Sequence, residues 1–239
     1  MIIDCISDLH GHYPELEGGD LLIVAGDLTA TDSVEEHSNF YMWLVSQKYT
    51  RRIFIAGNHD NRLVGPWPGN TRGPFREDKT FYDFDYLCDS GTEFEWFENE
   101  DTKWGPKRLG GMEIWGSPWT RRFKGMNPDC MAFTCETEEE LAEKWLTCPL
   151  DTDIMITHSP LYGILDRTAT ESVGSKSLKF AVQKIKPSIL ICGHIHECGG
   201  RIEKFQDTLI INASYVNEFY RPINKPIRIE GEKGSWTVI

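Results

Sequence analysis

Five short segments of this chain end in residues that bind cations or move protons. Asp8 and His10 stand two apart in Ser7-Asp8-Leu9-His10-Gly11-His12, and Asp27 follows Gly26. Asn58, His59 and Asp60 follow Gly57, His158 precedes Ser159-Pro160, and His194 and His196 stand two apart after Gly193. In an extended segment a spacing of two puts both side chains on one side of the backbone, so Asp8 and His10 can grip one cation. Each segment alone has a plainer reading. A D-x-H also fits a turn aspartate beside a surface histidine, and Asp27 also fits a helix cap among Thr29, Thr31, Asp32 and Ser33. Together they resist separate excuses, because five of the seven histidines fall at these points and only His12 and His37 lie elsewhere.

Carboxylate, imidazole and amide donors without thiolate suit hard to borderline divalent metal ions. Manganese is the first expectation, with iron, nickel or zinc as alternatives. The donors outnumber what one ion can use, which predicts two. A natural division gives Asp8, His10 and His196 to one ion and Asn58, His158 and His194 to the other, with Asp27 bridging. Two cations about 3.5 to 4 Å apart lower the pKa of a shared water, clamp a phosphoryl group and stabilise the leaving oxygen of an in-line displacement. His59, beside Asn58 but left free, is the group to protonate the leaving alkoxide. Asp60 is expected to orient a neighbouring imidazole.

Strands must deliver these residues. Ile2–Ile6, Asp20–Ala25, Ile53–Ala56, Asp153–Thr157 and Ser188–Cys192 are short apolar runs, each stopping just before one of the five segments. Loops leaving the carboxyl ends of strands form the crevice of an open α/β sheet, so the five exits are predicted to share one edge of a parallel-type sheet. Helices are predicted over Ser33–Gln47, Thr137–Leu146 and Ser175–Ile185, each opened by a hydroxyl cap residue. Met112–Trp115 reads as a further strand, Ile202–Phe205 and Thr208–Ile211 as a hairpin, and Ile227–Ile229 and Trp236–Ile239 as short strands. Asn61–Gly111 reads as long loops with a short strand or hairpin near Thr92–Phe97. Its aromatic residues, Trp67, Phe75, Phe81, Tyr82, Phe84, Tyr86, Phe94, Trp96 and Trp104, are expected to anchor loops onto the core.

Composition narrows the class. A chain of 239 residues that is 40% hydrophobic fits one globular domain over 1–239. No apolar run approaches the roughly 18 residues of a membrane helix, so no membrane partner is expected. Met1–Ile6 is too short for a signal peptide, and a mature N-terminus and a cytoplasmic location are expected. The formal charge of −12 argues against a surface that tracks duplex nucleic acid. Seven cysteines without close regular spacing fit a reducing compartment. Cys192 and Cys198 flank the Gly193-His194-Ile195-His196 segment and raise a cysteine-ligated zinc, but Cys192 in its apolar run reads as a small core residue.

The order D-x-H, G-D, G-N-H-D, a lone His after a strand, then G-H-x-H resembles the calcineurin-like metallophosphoesterase superfamily. Gly116-Ser117-Pro118-Trp119, Ile156-Thr157-His158-Ser159-Pro160 followed by Gly163-Ile164-Leu165-Asp166, Gly193-His194-Ile195-His196-Glu197 and Ile211-Asn212-Ala213-Ser214 are similar to the branch of metallophosphoesterase-domain-containing proteins, close to class III cyclic-nucleotide phosphodiesterases. The resemblance implies a four-layer αββα sandwich, a dinuclear site with the division above, and phosphodiester hydrolysis by a metal-bridging hydroxide. The implied substrate is a small phosphate ester such as a cyclic nucleotide. A phosphomonoesterase or a dinucleoside-polyphosphate hydrolase is the enzymatic alternative; a nuclease or a non-catalytic scaffold fits less well. Purple acid phosphatases place a tyrosine three positions after the bridging Asp, where this chain has Ala30. Protein Ser/Thr phosphatases carry an arginine in G-D-x-V-D-R-G, which is missing from Gly26-Asp27-Leu28-Thr29-Ala30-Thr31-Asp32. Arg62, Arg121 and Arg122 are possible substitutes, though each reads first as a solvated surface charge.

Overall fold

Alternation within the apolar runs decides the layering. A computed structural model describes residues 1–65, 84–97, 108–123 and 127–239. Strands β1 (Ile2–Ile6) and β2 (Gly19–Ala25) lead to helix α1 (Val34–Ser46) and strand β3 (Tyr49–Ile55). Strands β4 (Phe84–Tyr86), β5 (Ser90–Phe97) and β6 (Arg108–Ser117) follow, then the two-residue strands β7 (Thr120–Arg121) and β8 (Thr134–Cys135). Helix α2 (Glu138–Trp145), strand β9 (Ile154–Thr157), helix α3 (Lys176–Ile185) and strand β10 (Ile189–Cys192) come next. Strands β11 (Arg201–Phe205), β12 (Thr208–Asn212), β13 (Ile227–Glu232) and β14 (Ser235–Val238) complete the order.

One face of β2 carries Leu21, Ile23 and Ala25 and the other Leu22 and Val24, and all five are buried. Strands β9 and β10 behave alike, with Ile154, Ile156, Ile189 and Ile191 on one face and Met155, Leu190 and Cys192 on the other. A strand apolar on both faces needs cover on both. The structure supplies it with two six-stranded sheets, ordered β14-β13-β1-β2-β3-β4 and β11-β12-β10-β9-β6-β5. Their inner faces share one core, in which Ile3, Ile23, Ile53, Ile114, Ile156, Ile191 and Ile229 meet. Fully burying each such side chain contributes about 1.5–3 kcal/mol. Helix α1 covers the outer face of the first sheet through Phe40, Tyr41, Trp43 and Leu44. Helices α2 and α3 cover that of the second through Leu141, Trp145, Leu178, Val182 and Ile185. This is the αββα sandwich.

The helices start where the sequence predicts. Ser33 caps α1 in a full capping box with Glu36, Thr137 caps α2, and Ser175 caps α3. Lys186 closes α3 in the left-handed conformation directly before Pro187. The predicted hairpin is present as the antiparallel pair β11–β12.

Other expectations need correction. The five strand exits do not share one sheet: β1, β2 and β3 belong to the first and β9 and β10 to the second. The strands carrying the exits run parallel within each sheet, and the exits of both sheets meet at one end of the sandwich. Within 61–111, β5 forms an eight-residue strand paired antiparallel with β6, so the predicted Met112–Trp115 strand extends to ten residues. β4 was unforeseen; Phe84 and Tyr86 pack on the outer core of the first sheet, and Phe94 lies between the sheets, as anchors should. Trp67, Phe75, Phe81, Tyr82 and Trp104 lie outside the described residues. Cys192 and Cys198 are both buried in the outer core of the second sheet. Among the described residues no helix is long and apolar enough to cross a membrane.

Candidate metal centre

Each predicted donor leaves its strand through a sharp turn. Asp8, His10, Asp27 and His194 have φ of 52°, 42°, 51° and 69°. Left-handed backbone at a residue other than glycine costs about 1–3 kcal/mol, and it persists only where surrounding bonds over-determine it. Those bonds are present. Asp8 N–H donates to Gly26 O (2.9 Å) and His10 N–H to Asp27 O (3.1 Å), tying the first two exits together. His194 N–H donates to both oxygens of Asp8 at 3.0 Å, and Ser214 Oγ donates to Asp8 Oδ2 at 2.7 Å, tying the second sheet to the first. His59 N–H donates to Asp27 Oδ1 at 2.9 Å.

Two motif glycines are there for room. A Cβ on Gly57 would stand 2.2 Å from Asp27 Oδ1, and one on Gly193 2.2 Å from Asp8 Oδ2. Backbone therefore lies directly against each carboxylate.

The donors converge in two groups. Asp8, His10, Asp27 and His196 offer ligand atoms all within 4.8 Å of one another, and so do Asp27, His158 and His194. Asp27 belongs to both. Within the first group His10 Nε2 lies 3.3 Å from His196 Nε2 and 3.7 Å from Asp27 Oδ2, and His196 Nε2 lies 3.2 Å from Asp8 Oδ1. In the second, His158 Nε2 lies 3.2 Å from Asp27 Oδ2 and 3.2 Å from Asn58 Oδ1, which brings Asn58 in as well. All seven residues singled out as ligands are thus brought together.

Charge and burial set the donors' protonation. For Asp8, burial pushes the pKa up, but the hydrogen bond and charge of His196 outweigh it and hold the carboxyl below its ordinary range. Asp27 is likewise held well below, with His158 and His59 overcoming burial. Burial drives His10 down to about 4, and burial with the neighbouring His158 drives His194 down to about 3. His158 goes the other way: burial opposes its charge, yet Asp27 raises it to about 9. The carboxylates are ionised and two imidazoles are neutral, the forms in which they bind metal.

Two further observations fit a cation. His158 Nδ1–H donates to Ala25 O at 2.9 Å, so its Nε2 is the nitrogen that faces Asp27 and Asn58. A positive charge at that nitrogen, a proton or a bound cation, satisfies both oxygens. Among the described residues His194 Nε2 is buried without a hydrogen-bond partner, an arrangement that costs about 1–3 kcal/mol unless something else accepts the lone pair.

A family model for calcineurin-like phosphoesterase matches residues 1–198. The chain belongs to that family. Human metallophosphoesterase domain-containing protein 1 is 32% identical over 240 residues, covering 95% of this chain and 69% of its own length. A UPF0046 protein of Caenorhabditis elegans, K07C11.7, is 29% identical, covering 93% of this chain and 72% of its own length. Among solved structures, phosphopantetheinyl hydrolase from Mycobacterium tuberculosis shares the fold at a TM-score of 0.56 with 16% identity, covering 91% of this chain and 90% of that one. As a calcineurin-like phosphoesterase the chain is a metal-dependent phosphoester hydrolase, and the two groups are its candidate metal ligands.

The remaining residues of this phosphoesterase site divide between expected and unexpected. His59 packs edge-on against His10 with ring centroids 4.5 Å apart, and its Nδ1 faces Ala30 O and Cys130 Sγ, each at 3.3 Å. Asp60 does not orient an imidazole. It accepts from the backbone N–H groups of Gly57, Leu28 and Thr29 and from Thr29 Oγ1, because the turn after Asn58 points its carboxylate inward under the Asp27 loop. Burial and the nearby Asp27 raise its pKa to about 6. Arg62 Nε–H donates to Asp32 O, Arg121 stands 3.8 Å from Glu138, and Arg122 pairs with Glu136, so none of the three arginines joins the ligand groups.

Two aromatic residues escaped the sequence reading. Phe123 stacks on His194 at 5.7 Å, and Tyr220 rests against His10 and His196. Phe123 also borders a cavity of about 740 Å³ lined by Arg121, Glu138, Tyr162 and Lys176. The Ser214 bond was within reach, since Ile211-Asn212-Ala213-Ser214 stood out in sequence; Tyr220 sits in a turn-rich segment with no pattern to mark it.

Proposed function

We propose that this chain is a phosphodiesterase acting on small nucleotides, cyclic ones included, with two divalent cations as cofactors. The observation that carries the reading is the sharing of Asp27 between two otherwise separate ligand groups. Asp8, His10 and His196 would hold one ion and Asn58, His158 and His194 the other, manganese being the first choice and iron, nickel or zinc the alternatives. Divalent ions bound there supply Lewis acidity and a water nucleophile at neutral pH.

The chain's own residues supply the rest. His59 Nδ1–H faces Ala30 O, which leaves Nε2 as the ring nitrogen to carry a proton to the leaving oxygen. Asp60 fixes the loop bearing Asp27, and Ser214 with His194 N–H fixes the rotamer of Asp8. Two features support a diester. No arginine singled out from the sequence reaches the ligand groups, which suits a monoanionic diester better than a dianionic monoester. One aromatic ring flanks each ligand group, Tyr220 the first and Phe123 the second, which suits a phosphorus with two organic substituents.

Hydrolysis of bis(p-nitrophenyl) phosphate by manganese-loaded protein tests the proposal. Activity that survives Asp27→Ala or His59→Ala at the wild-type level would overturn it. Faster turnover of a monoester, a dinucleoside polyphosphate or an oligonucleotide than of any small diester would reassign the substrate.

A further inference from the structure

Tyr220 occupies a position that the backbone resists. Its φ of 58° is in the left-handed region, where a bulky non-glycine residue is a rare outlier, and such strain gathers where function fixes a conformation. The loop around it is built to hold that conformation. Asn217 Oδ1 accepts from Phe219 N–H and Arg221 N–H at 3.0 Å each, Tyr220 N–H donates to Asn217 O, and Val216 pairs with Pro222. The base of the loop joins the site directly: Asn224 Nδ2 donates to Ser214 O, and Ser214 Oγ donates to Asp8.

The result is a ring laid across three imidazoles. Tyr220 meets His10 at 4.8 Å and 81°, His196 at 5.3 Å and 87°, and His59 at 6.1 Å. Yet it is not sealed in: 48% of the residue remains exposed, and Phe219 and Ile223 on the same loop are 69% and 64% exposed. An apolar rim open to solvent beside a buried polar cluster marks a binding surface. Its position relative to His59 says which part of a substrate it meets, since the leaving oxygen must come to the residue that protonates it.

We infer that Tyr220 is the platform for the leaving group of the substrate, a specificity-determining residue that selects planar, ring-bearing leaving groups over small alkyl ones. This rests on the phosphodiesterase reading for the direction of the reaction, and on the loop geometry for the preference itself. The leaving group lies against the exposed part of the tyrosine ring with its ester oxygen toward His59. The chemistry is shared by nucleosides and simple aryl groups.

Calorimetric binding of non-hydrolysable probes to the metal-loaded full chain tests this. Phenylphosphonate should bind about tenfold more tightly than methylphosphonate, the size of one aromatic contact. The pair adenosine 5′-methylenephosphonate and methylphosphonate repeats the comparison for a nucleoside, and a preference there equal to or above the phenyl one identifies nucleosides as the natural group. Tyr220→Gly should bring both ratios to near one with bound metal unchanged by mass spectrometry, and Tyr220→Phe should keep them. Glycine accepts the backbone conformation without strain, so the thermal midpoint of Tyr220→Gly should equal or exceed that of wild type. A ratio that stays near tenfold in Tyr220→Gly overturns the inference, as does loss of metal with a lowered midpoint, which would mark a packing role. Wild-type protein that cleaves no diester but shows the Tyr220-dependent preference would sink the phosphodiesterase reading alone. Diester cleavage with no ring preference would sink the platform alone.

Discussion

The two sheets contribute unlike chemistry to one site. The first supplies both carboxylates, the amide and one imidazole, from Asp8, His10, Asp27 and Asn58; the second supplies imidazoles only, from His158, His194 and His196. Backbone strain follows the same division, with three left-handed donors from the first sheet and one, His194, from the second. Each ligand group draws on both sheets: Asp8, His10 and Asp27 meet His196 in one, and Asp27 meets His158 and His194 in the other. Several of the bonds that join them are to carboxylates of the first sheet, from His194 N–H to Asp8 and from His158 to Asp27. The seam between the sheets is therefore where the centre is made, and substitutions there can be ranked.

Asp27→Ala should have the largest effect, because it removes the one residue common to both groups. Bound metal measured by mass spectrometry should fall for both ions, and diester turnover by about 10³-fold or more. Full metal content in this variant would dissolve the distinction between shared and private ligands. Asn58→Ala should lower metal affinity by about 10–100-fold at one ion only. Its neighbour separates binding from chemistry: His59→Ala should keep both ions and lose about 10²–10⁴-fold in turnover.

Gly193→Ala probes the seam itself, since its Cβ would collide with Asp8 of the opposite sheet. A loss of about 1–3 kcal/mol in urea denaturation is expected. Gly57→Ala collides within the first sheet's own loops, against Asp27. If only Gly193→Ala loosens metal binding, the seam is the weaker of the two supports; equal losses would erase that distinction.

The smallest effect lies away from the seam, at the cap of α1. Burial works to raise the pKa of Glu36, but hydrogen bonds from Thr31, Ser33 and Ala30 hold it at about 2 against an ordinary 4.5. A carboxylate lowered on folding adds stability above pH 4.5 and loses it as pH falls from 4.5 towards 2. Glu36→Gln should flatten that part of the pH profile by about 1 kcal/mol, allowing for solvent screening. Metal content at neutral pH should be untouched.

The strand exits and caps were legible because each rests on local chemistry. An apolar run followed by Gly-Asp or Gly-Asn-His-Asp is a strand and a turn whatever surrounds it, and Ser33 with Glu36 is a capping box in sequence as in space. Assignment to two sheets was not legible from the runs, because a strand buried on both faces reads alike in either sheet. Asp60 was misjudged through adjacency: it follows His59 in the chain, but the turn sends its carboxylate to Gly57, Leu28 and Thr29. β4 and Tyr220 left no signal, one for being three residues long and the other for depending on a turn that only the fold completes.

β13 pairs with β1, so the first strand of the chain is flanked on one side by one of the last, and Met1 N donates to Gly231 O. During vectorial synthesis β1 keeps an open edge until the partner strand some 230 residues further along has been made, and Asp8 waits 206 residues for Ser214. Contacts so distant in sequence form slowly, and unpaired edges invite the wrong neighbour in the meantime. The ligand set itself is complete only once His196 has been made, so metal capture must follow the synthesis of strands from both sheets.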